Sequence, residues 1–224
     1  MTSLTGPSRA AASGVADSLV VFLHGYGADG DDLIGLAEPL APHLPNTRFL
    51  APNAPERCVN NPMGYQWFPI PWLDGTPEAV ARASAAAAFA ALDGWLDAVA
   101  VDTPPERTVL VGFSQGTMMA LYVGLRRRAP FAGIVGFSGR LLEPELLPGE
   151  ILSRPPVLLV HGDQDPMVPF ASLAEAERGL KAAGVEVVTH VSRGVGHGIA
   201  PDGLGLALGF IGRCLGIDPA AAGA

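Results

Sequence analysis

The chain has 224 residues, of which 49% are hydrophobic and only 16% are charged. This composition excludes a long disordered segment and supplies a full apolar core, and α/β architectures of this size commonly form one domain. The net charge of −8 disfavours binding to nucleic acid. The one basic cluster, residues 126–128, lies at the end of a predicted helix, where cations favour the carboxyl end of the helix dipole.

No segment predicts a membrane anchor or an oxidising environment. The alanine-rich stretch at residues 79–100 contains one arginine and two aspartates, which argues against a membrane span. The N-terminus lacks the basic segment and apolar run of a secretory signal. Cys58 and Cys214 have no spacing typical of a disulfide framework or a metal site, so we expect free thiols. We therefore expect a cytoplasmic protein that is not stably inserted into a membrane.

Short β-branched runs alternate along the chain with longer runs rich in alanine and leucine. The predicted strands are residues 19–23, 48–50, 108–111, 133–137, 157–160 and 186–191. The predicted helices are residues 31–41, 77–100, 114–128, 171–183 and 203–214. Four of the strands are nearly continuous apolar runs, as expected when helices cover both faces of a sheet. The alternation predicts an α/β fold with a mostly parallel sheet and right-handed crossovers.

The predicted organisation is one domain at residues 18–217. Residues 1–17, rich in alanine, serine and glycine, are expected to form a loose or weakly paired leader, and residues 218–224 a short tail. We found no internal repeat and no linker.

Residues 60–75 do not fit the alternation. They contain three prolines among seven large apolar side chains, and prolines this dense exclude a regular helix or an inner strand. Such a loop is either a packed cover over the core or the wall of an apolar binding site. We favour the wall, because ligands bind beside the strand ends of such sheets. The candidate substrate-binding residues are Met63, Tyr65, Trp67, Phe68 and Trp72, with Val168 from a later loop.

Residues 109–120 read VLVGFSQGTMMA, an apolar strand that runs into Gly-x-Ser-x-Gly and then into a helix. A sharp turn between strand and helix lifts a serine hydroxyl towards a base, provided that small residues let the turn close. Gly112 and Gly116 are those residues, and Ser114 is the candidate nucleophile. A glycine-rich turn whose serine only caps the helix would have the same sequence pattern. Other positions of the chain must therefore distinguish a nucleophile from a cap.

A serine nucleophile needs a general base and an acid that orients it. Among five histidines, His197 alone lies on a late, glycine-flanked loop from which an imidazole could reach the serine. Two aspartates follow the strand at residues 157–160. Asp165 precedes a proline that forces an extended backbone, whereas Asp163 would cap the turn through its own backbone. We favour Asp165, which gives the chain order Ser114, Asp165, His197 that the serine turn requires.

The oxyanion donors are predicted to be two backbone N–H groups. Gln115 follows the nucleophile, and Tyr26 lies in the glycine-rich turn after the first predicted strand. A plain turn between strand and helix would explain those glycines equally well. Ser138 also follows a strand, but its glycine comes directly after it, so the pattern is broken and we interpret Ser138 as structural.

With these residues placed, the chain resembles the carboxylesterase/phospholipase family of α/β-hydrolases, which includes the acyl-protein thioesterases. The matching segments are FLHGYG at 22–27, WF at 67–68, GFSQG at 112–116, SG at 138–139, HGDQDPMVP at 161–169 and GH at 196–197. The resemblance spans roughly residues 19–215. It implies an α/β-hydrolase fold without a separate cap domain, and hydrolysis of esters or thioesters without a cofactor.

By the same resemblance Ser114, Asp165 and His197 fall on the family's triad, and Tyr26 and Gln115 on its oxyanion positions. The chain departs from the family at three places, none of them in the triad. Proline stands at 69 in place of a frequent aspartate, threonine at 117 in place of a frequent glycine, and Ala-Asp at 28–29 varies an acidic turn.

Three functions remain to be weighed. We expect a serine carboxylesterase that hydrolyses small esters of short-to-medium chain length through an acyl-enzyme, as a monomer or homodimer. An acyl-protein thioesterase or a lysophospholipase would share this mechanism and differ only in the apolar wall. A non-catalytic ligand-binding member of the fold would usually lack one of the three reacting side chains, and all three are present here.

Overall fold

Nine strands build two sheets in a computed structural model that describes residues 4–218. They are β1 (Ser8–Arg9), β2 (Ser18–Leu23), β3 (Thr47–Leu50), β4 (Glu56–Arg57), β5 (Tyr65–Gln66), β6 (Thr108–Phe113), β7 (Gly133–Phe137), β8 (Val157–Gly162) and β9 (Val187–Ser192). Seven of them form one sheet in the order β1-β3-β2-β6-β7-β8-β9, and β4 pairs with β5 alone. All neighbours in the large sheet are parallel except β1, which runs antiparallel to β3. The predicted α/β class with a mostly parallel sheet is confirmed.

Within the described residues, eight helices accompany the strands. They are α1 (Gly30–Ile34), α2 (Ala37–Leu40), α3 (Pro71–Asp74), α4 (Glu78–Val99), α5 (Gln115–Leu125), α6 (Leu147–Glu150), α7 (Ala171–Ala182) and α8 (Pro201–Leu215), with 3₁₀ turns at Ala41–His43 and Pro105–Arg107. Within residues 4–218, none of the helices combines the length and the apolarity needed to cross a bilayer.

The sheet separates two apolar clusters, because successive strand residues point to opposite faces. Leu19, Val21 and Leu23 of β2 belong to the cluster that also contains residues of α4, α5 and α7. Val20 and Phe22 belong to the cluster with residues of α1, α2 and α8. Strands buried on both sides are apolar at nearly every position, which is why they could be predicted from continuous apolar runs.

One predicted helix is divided into two in the structure. Residues 31–41 form α1 and α2 rather than a single helix, because the chain tightens between them. The Leu36 N–H donates to the Leu33 carbonyl, and the Glu38 N–H donates to the Gly35 carbonyl, both three residues back. A helix ends where such tight turns replace the four-residue hydrogen bonds.

The leader is held at the edge of the sheet. Ser8 and Arg9 pair with Leu50 and Phe49 of β3, and Leu4 is buried in one of the apolar clusters. Residues 1–3 and 219–224, which include most of the predicted tail, lie outside the described part of the chain.

The basic residues after α5 connect neighbouring helices. Arg126 forms an ion pair with Glu150 of α6 at 2.6 Å, and Arg127 pairs with Asp93 and Asp97 of α4. Their positions near the carboxyl end of α5 also suit the helix dipole, as the sequence predicts.

The carboxyl ends of β2 and β6 are the point that positions the site. β2 connects to β3 on one side, and β6 lies on its other side, so the strand order reverses between them. Ligands bind outside the carboxyl ends of parallel strands at such a reversal. β6 enters α5 there through a turn that glycine alone can form. A Cβ at Gly116 would lie 1.8 Å from the Leu23 carbonyl oxygen, and one at Gly112 would lie 2.4 Å from the Gly116 carbonyl carbon.

Gly116→Ala is expected to lower the melting temperature by roughly 5–10 °C. Overpacking against backbone lowers the free energy of unfolding by about 3 kcal/mol, and each kcal/mol shifts the melting temperature of a domain of this size by about 2–4 °C. Thermal unfolding followed by circular dichroism measures the change. Gly205→Ala is the matched control, since a Cβ at that exposed position of α8 meets nothing within 4 Å. It should leave the melting temperature unchanged or raise it, because alanine is the better helix former. Equal effects of the two substitutions would contradict this explanation of the turn.

Candidate active site

Ser114 lies in the turn between β6 and α5 with a strained backbone. Its φ is 54° and its ψ is −115°, a conformation that residues other than glycine rarely adopt. Such strain costs about 1–3 kcal/mol and persists where surrounding structure enforces it. The predicted helix at residues 114–128 therefore begins one residue later, at Gln115. The serine side chain makes no capping hydrogen bond to the helix, so the alternative of a simple cap is not what the structure displays.

Two neighbouring groups enforce the strained turn. The Ser114 N–H donates to the Phe137 carbonyl at the end of β7, at 2.8 Å. The buried Thr117 hydroxyl lies 2.8 Å from the Gly112 carbonyl oxygen and 2.9 Å from that of Phe137. In the sequence Thr117 is only a departure from the family pattern, whereas in the structure its hydroxyl bridges β6 and β7.

His197 is oriented by a shielded carboxylate. Its Nδ1 lies 2.8 Å from Asp165 Oδ2, and the Asp165 side chain is fully inaccessible to solvent. Asp165 Oδ1 also accepts the N–H groups of Met167 at 2.8 Å and Val168 at 2.9 Å. The His197 ring centroid lies 4.9 Å from that of Phe113, on the last residue of β6.

Burial raises the pKa of Asp165, but the hydrogen bonds from His197 and from the two backbone N–H groups outweigh it. The pKa of this carboxyl therefore lies below its ordinary value. Asp165 is consequently ionised at neutral pH and can hold a proton on His197 Nδ1.

The two neighbours that compete for these roles have other contacts. Asp163 Oδ1 accepts the Gly194 N–H at 2.7 Å, which holds the loop that carries His197. His161 is buried, and its Nε2 lies 3.1 Å from the Val168 carbonyl oxygen and 3.4 Å from Asp165 Oδ2. His161 thus approaches the same carboxylate oxygen that His197 contacts, and the sequence pattern does not reveal this contact.

A cavity of about 480 Å³ opens beside these groups. Its lining includes Ser114, His197, Tyr26 and Gln115, so the structure brings together four of the five residues predicted for catalysis, with Asp165 directly behind His197. The remaining lining residues are mostly apolar: Phe68, Ile70, Trp72, Leu73, Met118, Arg140, Leu142, Met167, Val168 and Pro169. A volume of this size suits a small-molecule ligand.

The aromatic segment divides into a wall and a cover. Of the six predicted substrate-binding residues, Phe68, Trp72 and Val168 line the cavity. Phe68 and Trp72 flank the start of α3, where Pro71 occupies the first helical position and its missing N–H costs nothing. The second half of the segment is thus the wall, and Ile70 and Leu73, which the sequence did not single out, extend it.

The other three predicted substrate-binding residues do not reach the cavity. Met63 is 82% exposed. The Tyr65 ring lies under the Arg57 guanidinium, at 4.1 Å. Trp67 is fully buried, and its indole N–H donates to the His24 carbonyl at 3.0 Å. An apolar segment without helical or strand periodicity does not indicate which of its side chains point inwards. The sequence therefore could not distinguish these three residues from those that line the cavity.

The Gln115 side chain ties the aromatic segment to the serine turn. Its Oε1 accepts the Trp67 N–H at 2.9 Å, and its Nε2 donates to the Phe68 carbonyl at 2.8 Å. Gln115 is the first residue of α5, so its own N–H has no acceptor within the helix. Across residues 4–218, neither this N–H nor that of Tyr26 donates to a backbone carbonyl.

The Tyr26 turn is fixed from two sides. The Gly27 N–H donates to the Tyr65 carbonyl at 2.8 Å, and the Tyr26 hydroxyl donates to Asp74 Oδ2 at 3.1 Å. The buried His24 ring spans the start of the turn. Its Nδ1 lies 2.8 Å from the Gly25 carbonyl, and its Nε2 accepts the Ala54 N–H at 2.9 Å.

No group of three or more His, Cys, Asp or Glu side chains in the described ranges could hold a metal ion. Cys58, which is buried, and Cys214, which is half-buried, are both free thiols.

Comparison with known proteins gives consistent matches. A family model described as phospholipase/carboxylesterase matches residues 8–215. Acyl-protein thioesterase 1 of Neurospora crassa is 30% identical over 193 residues, which are 80% of this chain and 79% of that protein. The same enzyme of Gibberella zeae is 29% identical over 200 residues, or 83% and 85% of the two chains.

Solved structures match over nearly the whole chain. Esterase PE8 is 47% identical with a TM-score of 0.90, and the match covers 96% of this chain and 100% of that one. Arabidopsis thaliana SOBER1 is 27% identical with a TM-score of 0.74, covering 89% and 100%.

We expect the stability of the turn that carries Tyr26 to depend on pH through His24. Burial lowers the pKa of His24 below 6.5, although its hydrogen bond to Gly25 opposes this. Because the folded-state pKa is the lower one, the unfolded chain binds the proton first as pH falls. The stabilisation is therefore present above pH 6.5 and is lost as pH falls towards the folded-state pKa.

The melting temperature of the wild type should accordingly fall between about pH 7.5 and about pH 5, and it should fall less in His24→Asn. The variant should be the less stable protein at the higher pH, because Ala54 loses its hydrogen-bond acceptor. Parallel curves for the two proteins would show that His24 does not titrate in this way.

Proposed function

The chain belongs to the phospholipase/carboxylesterase family of α/β-hydrolases, and we propose that it is a serine carboxylesterase for short-to-medium-chain esters. One observation above all supports this proposal. The cavity that Ser114 lines also holds His197, whose imidazole is hydrogen-bonded to the buried Asp165 carboxylate. A nucleophile, a base and an orienting acid are the groups that acyl transfer to serine requires.

The reaction begins with attack by serine. His197 Nε2 takes the proton of the Ser114 hydroxyl as its oxygen bonds to the ester carbonyl carbon. Nδ1 keeps its proton and donates a hydrogen bond to the ionised Asp165, and the carboxylate stabilises the imidazolium that forms. The strained turn contributes by presenting the hydroxyl away from the backbone.

The negative charge that develops on the carbonyl oxygen needs donors that are already in place. The N–H groups of Tyr26 and Gln115 suit this role, since both belong to residues that line the cavity and neither donates to a backbone carbonyl in the described chain. Removing one such donor typically lowers kcat about 100–1000-fold. The Gln115 side chain is hydrogen-bonded to the backbone of Trp67 and Phe68, which fixes the position of the Gln115 backbone relative to the aromatic segment.

The tetrahedral intermediate then collapses. The alcohol leaves with the proton from His197, and the acyl group remains on Ser114 as an ester. Water enters and gives a proton to His197 as its oxygen attacks the acyl carbon. The second tetrahedral intermediate collapses as His197 returns that proton to the Ser114 oxygen, which releases the carboxylic acid and the free serine. Phe68, Trp72 and Val168 offer apolar contacts to the acyl chain. Every step uses water and groups of one chain, so it needs neither a cofactor nor a second subunit, and we propose that it takes place in the cytoplasm.

A second candidate has support from the curated relatives that are named acyl-protein thioesterases. Hydrolysis of acyl-proteins or lysophospholipids would follow the same steps and would differ in chain length and leaving group. The specificity constants for matched esters and thioesters from acetyl to palmitoyl separate the two. A maximum at palmitoyl would favour the lipid substrates over the small esters.

The proposed roles predict unequal effects of two nearby aspartates. Asp165→Asn should lower kcat for 4-nitrophenyl butyrate about 10⁴-fold, because the imidazole loses its orienting charge. Ser114→Ala should lower it by about 10⁶-fold. Steady-state rates, with folding verified by circular dichroism, measure both.

Asp163→Asn is the matched control, because asparagine can still accept the Gly194 N–H and keep the loop in place. Its kcat should remain within about tenfold of the wild type, because the substitution disturbs only the local structure of the loop and no reacting group. Near-full turnover by Ser114→Ala, or equal losses in the two aspartate variants, would refute the proposed assignment.

A further inference from the structure

Arg140 stands beside the candidate nucleophile without belonging to the machinery described above. It follows β7 by two residues, Ser138 and Gly139, and the backbone at Gly139 packs on the serine turn. A Cβ at Gly139 would lie 2.3 Å from Thr117 Cβ and 3.0 Å from the Ser114 carbonyl oxygen. The backbone directly before Arg140 is therefore held in place by packing. Arg140 lines the same cavity as Ser114 and His197.

The charges around this cavity are unbalanced. Among the described residues that line this cavity, Arg140 is the one arginine or lysine, and none is an aspartate or a glutamate. The chain has 22 acidic residues and a net charge of −8, so a carboxylate is the commoner charged neighbour. Arg126 and Arg127, which directly follow α5, both form ion pairs with carboxylates. In residues 4–218, no hydrogen bond or ion pair within 4.0 Å engages the Arg140 guanidinium.

We propose that Arg140 binds an anionic group of the substrate, so that the preferred esters carry a carboxylate or a phosphate away from the bond that is cleaved. This inference rests on the proposed function and names its substrate class. A guanidinium presents a fork of N–H donors that fits both anions through paired hydrogen bonds. Arg140 itself is exposed, so an anion can reach its guanidinium from solvent, and its neighbours in the lining, such as Leu142 and Met118, are apolar and offer it no competing carboxylate.

The surrounding surface leaves room for the remainder of such a substrate. A second cavity of about 500 Å³ adjoins the first at Phe68, Arg140 and Leu142, which line both. Arg140 is thus at the junction of the two cavities, and a longer uncharged substituent can continue into the second one, which Glu78 and Glu143 also line. Arg82 lines the second cavity and not the first, which makes it a control for charge effects that are not specific to Arg140.

The test compares substrate pairs that differ in one negative charge. The first pair is 4-nitrophenyl hydrogen glutarate and 4-nitrophenyl pentanoate, with the charge on the acyl side. The second is the butyrate esters of 4-hydroxybenzoate and of its methyl ester, and the third replaces that carboxylate with a phosphate. The measured quantity is the ratio of kcat/KM for the anionic ester to that for its neutral partner, in the wild type, Arg140→Gln, Arg140→Lys and Arg82→Gln.

In at least one pair, Arg140→Gln should lower this ratio about tenfold, the loss typical of a charge-assisted contact. Arg140→Lys should retain part of the preference, Arg82→Gln should retain all of it, and added salt should weaken it in the wild type. Which pair responds identifies the side of the ester and the kind of anion. An unchanged ratio in all three pairs, or an equal fall in Arg82→Gln, would overturn the proposal.

A binding measurement separates this inference from the proposed function. Glutarate, which has no ester bond and cannot be turned over, is titrated calorimetrically into the wild type, Arg140→Gln and Arg82→Gln. Binding that Arg140→Gln alone abolishes supports the anion site even if Ser114→Ala were to leave ester hydrolysis intact, which would refute the esterase assignment. No binding to the wild type, or equal binding to all three proteins, would refute the anion site while leaving the esterase assignment standing.

Discussion

The site depends on how closely the chain packs where β6 turns into α5. The Leu23 carbonyl, at the end of β2, would be only 1.8 Å from a Cβ at Gly116. That contact sets α5 directly against the end of β2. It therefore brings the Gln115 N–H and the turn that carries Tyr26 to the same edge of the sheet. An additional methyl group at this point would separate the two predicted oxyanion donors before it changed any reacting side chain.

The strain at Ser114 is maintained by bonds that lie outside the reacting groups. Its N–H is bonded to β7, the Thr117 hydroxyl bridges two strand ends, and the Gln115 side chain binds the aromatic segment. Each is a buried contact with good geometry, and a buried polar group that loses its partner costs about 1–3 kcal/mol. Stability and site geometry therefore rest on the same contacts. Substitutions at Thr117 or the Gln115 side chain should act on both.

Much of the fold and of the site could be predicted from the sequence, for identifiable reasons. Strands buried on both faces read as apolar runs, and β6, β7 and β8 begin where those runs predict. Ser114, Asp165 and His197 each follow a strand of a parallel sheet, so their separation of up to 83 positions along the chain does not keep them apart. The choice of Asp165 over Asp163 drew on a backbone restriction by proline, and the hydrogen bond from His197 to Asp165 agrees with that choice.

What the sequence did not predict depends on tertiary contacts. The break between α1 and α2 follows from two tight turns that leave no mark on the apolar pattern. The inward position of Trp67 depends on a hydrogen bond to the carbonyl of His24, 43 positions away. Arg140 and Thr117 read as ordinary residues of a loop and a helix, and their significance comes from strands that pack beside them.

The central claim is that Ser114 is the residue that attacks the substrate, and covalent labelling tests it most directly. The folded wild type is treated with a fluorophosphonate, and the modified residue is located by peptide mass spectrometry. Modification at Ser114, slowed by an ester substrate and by loss of the His197 imidazole, is the expected result. Modification at another residue such as Ser138, or none at Ser114 in folded protein, would contradict the claim.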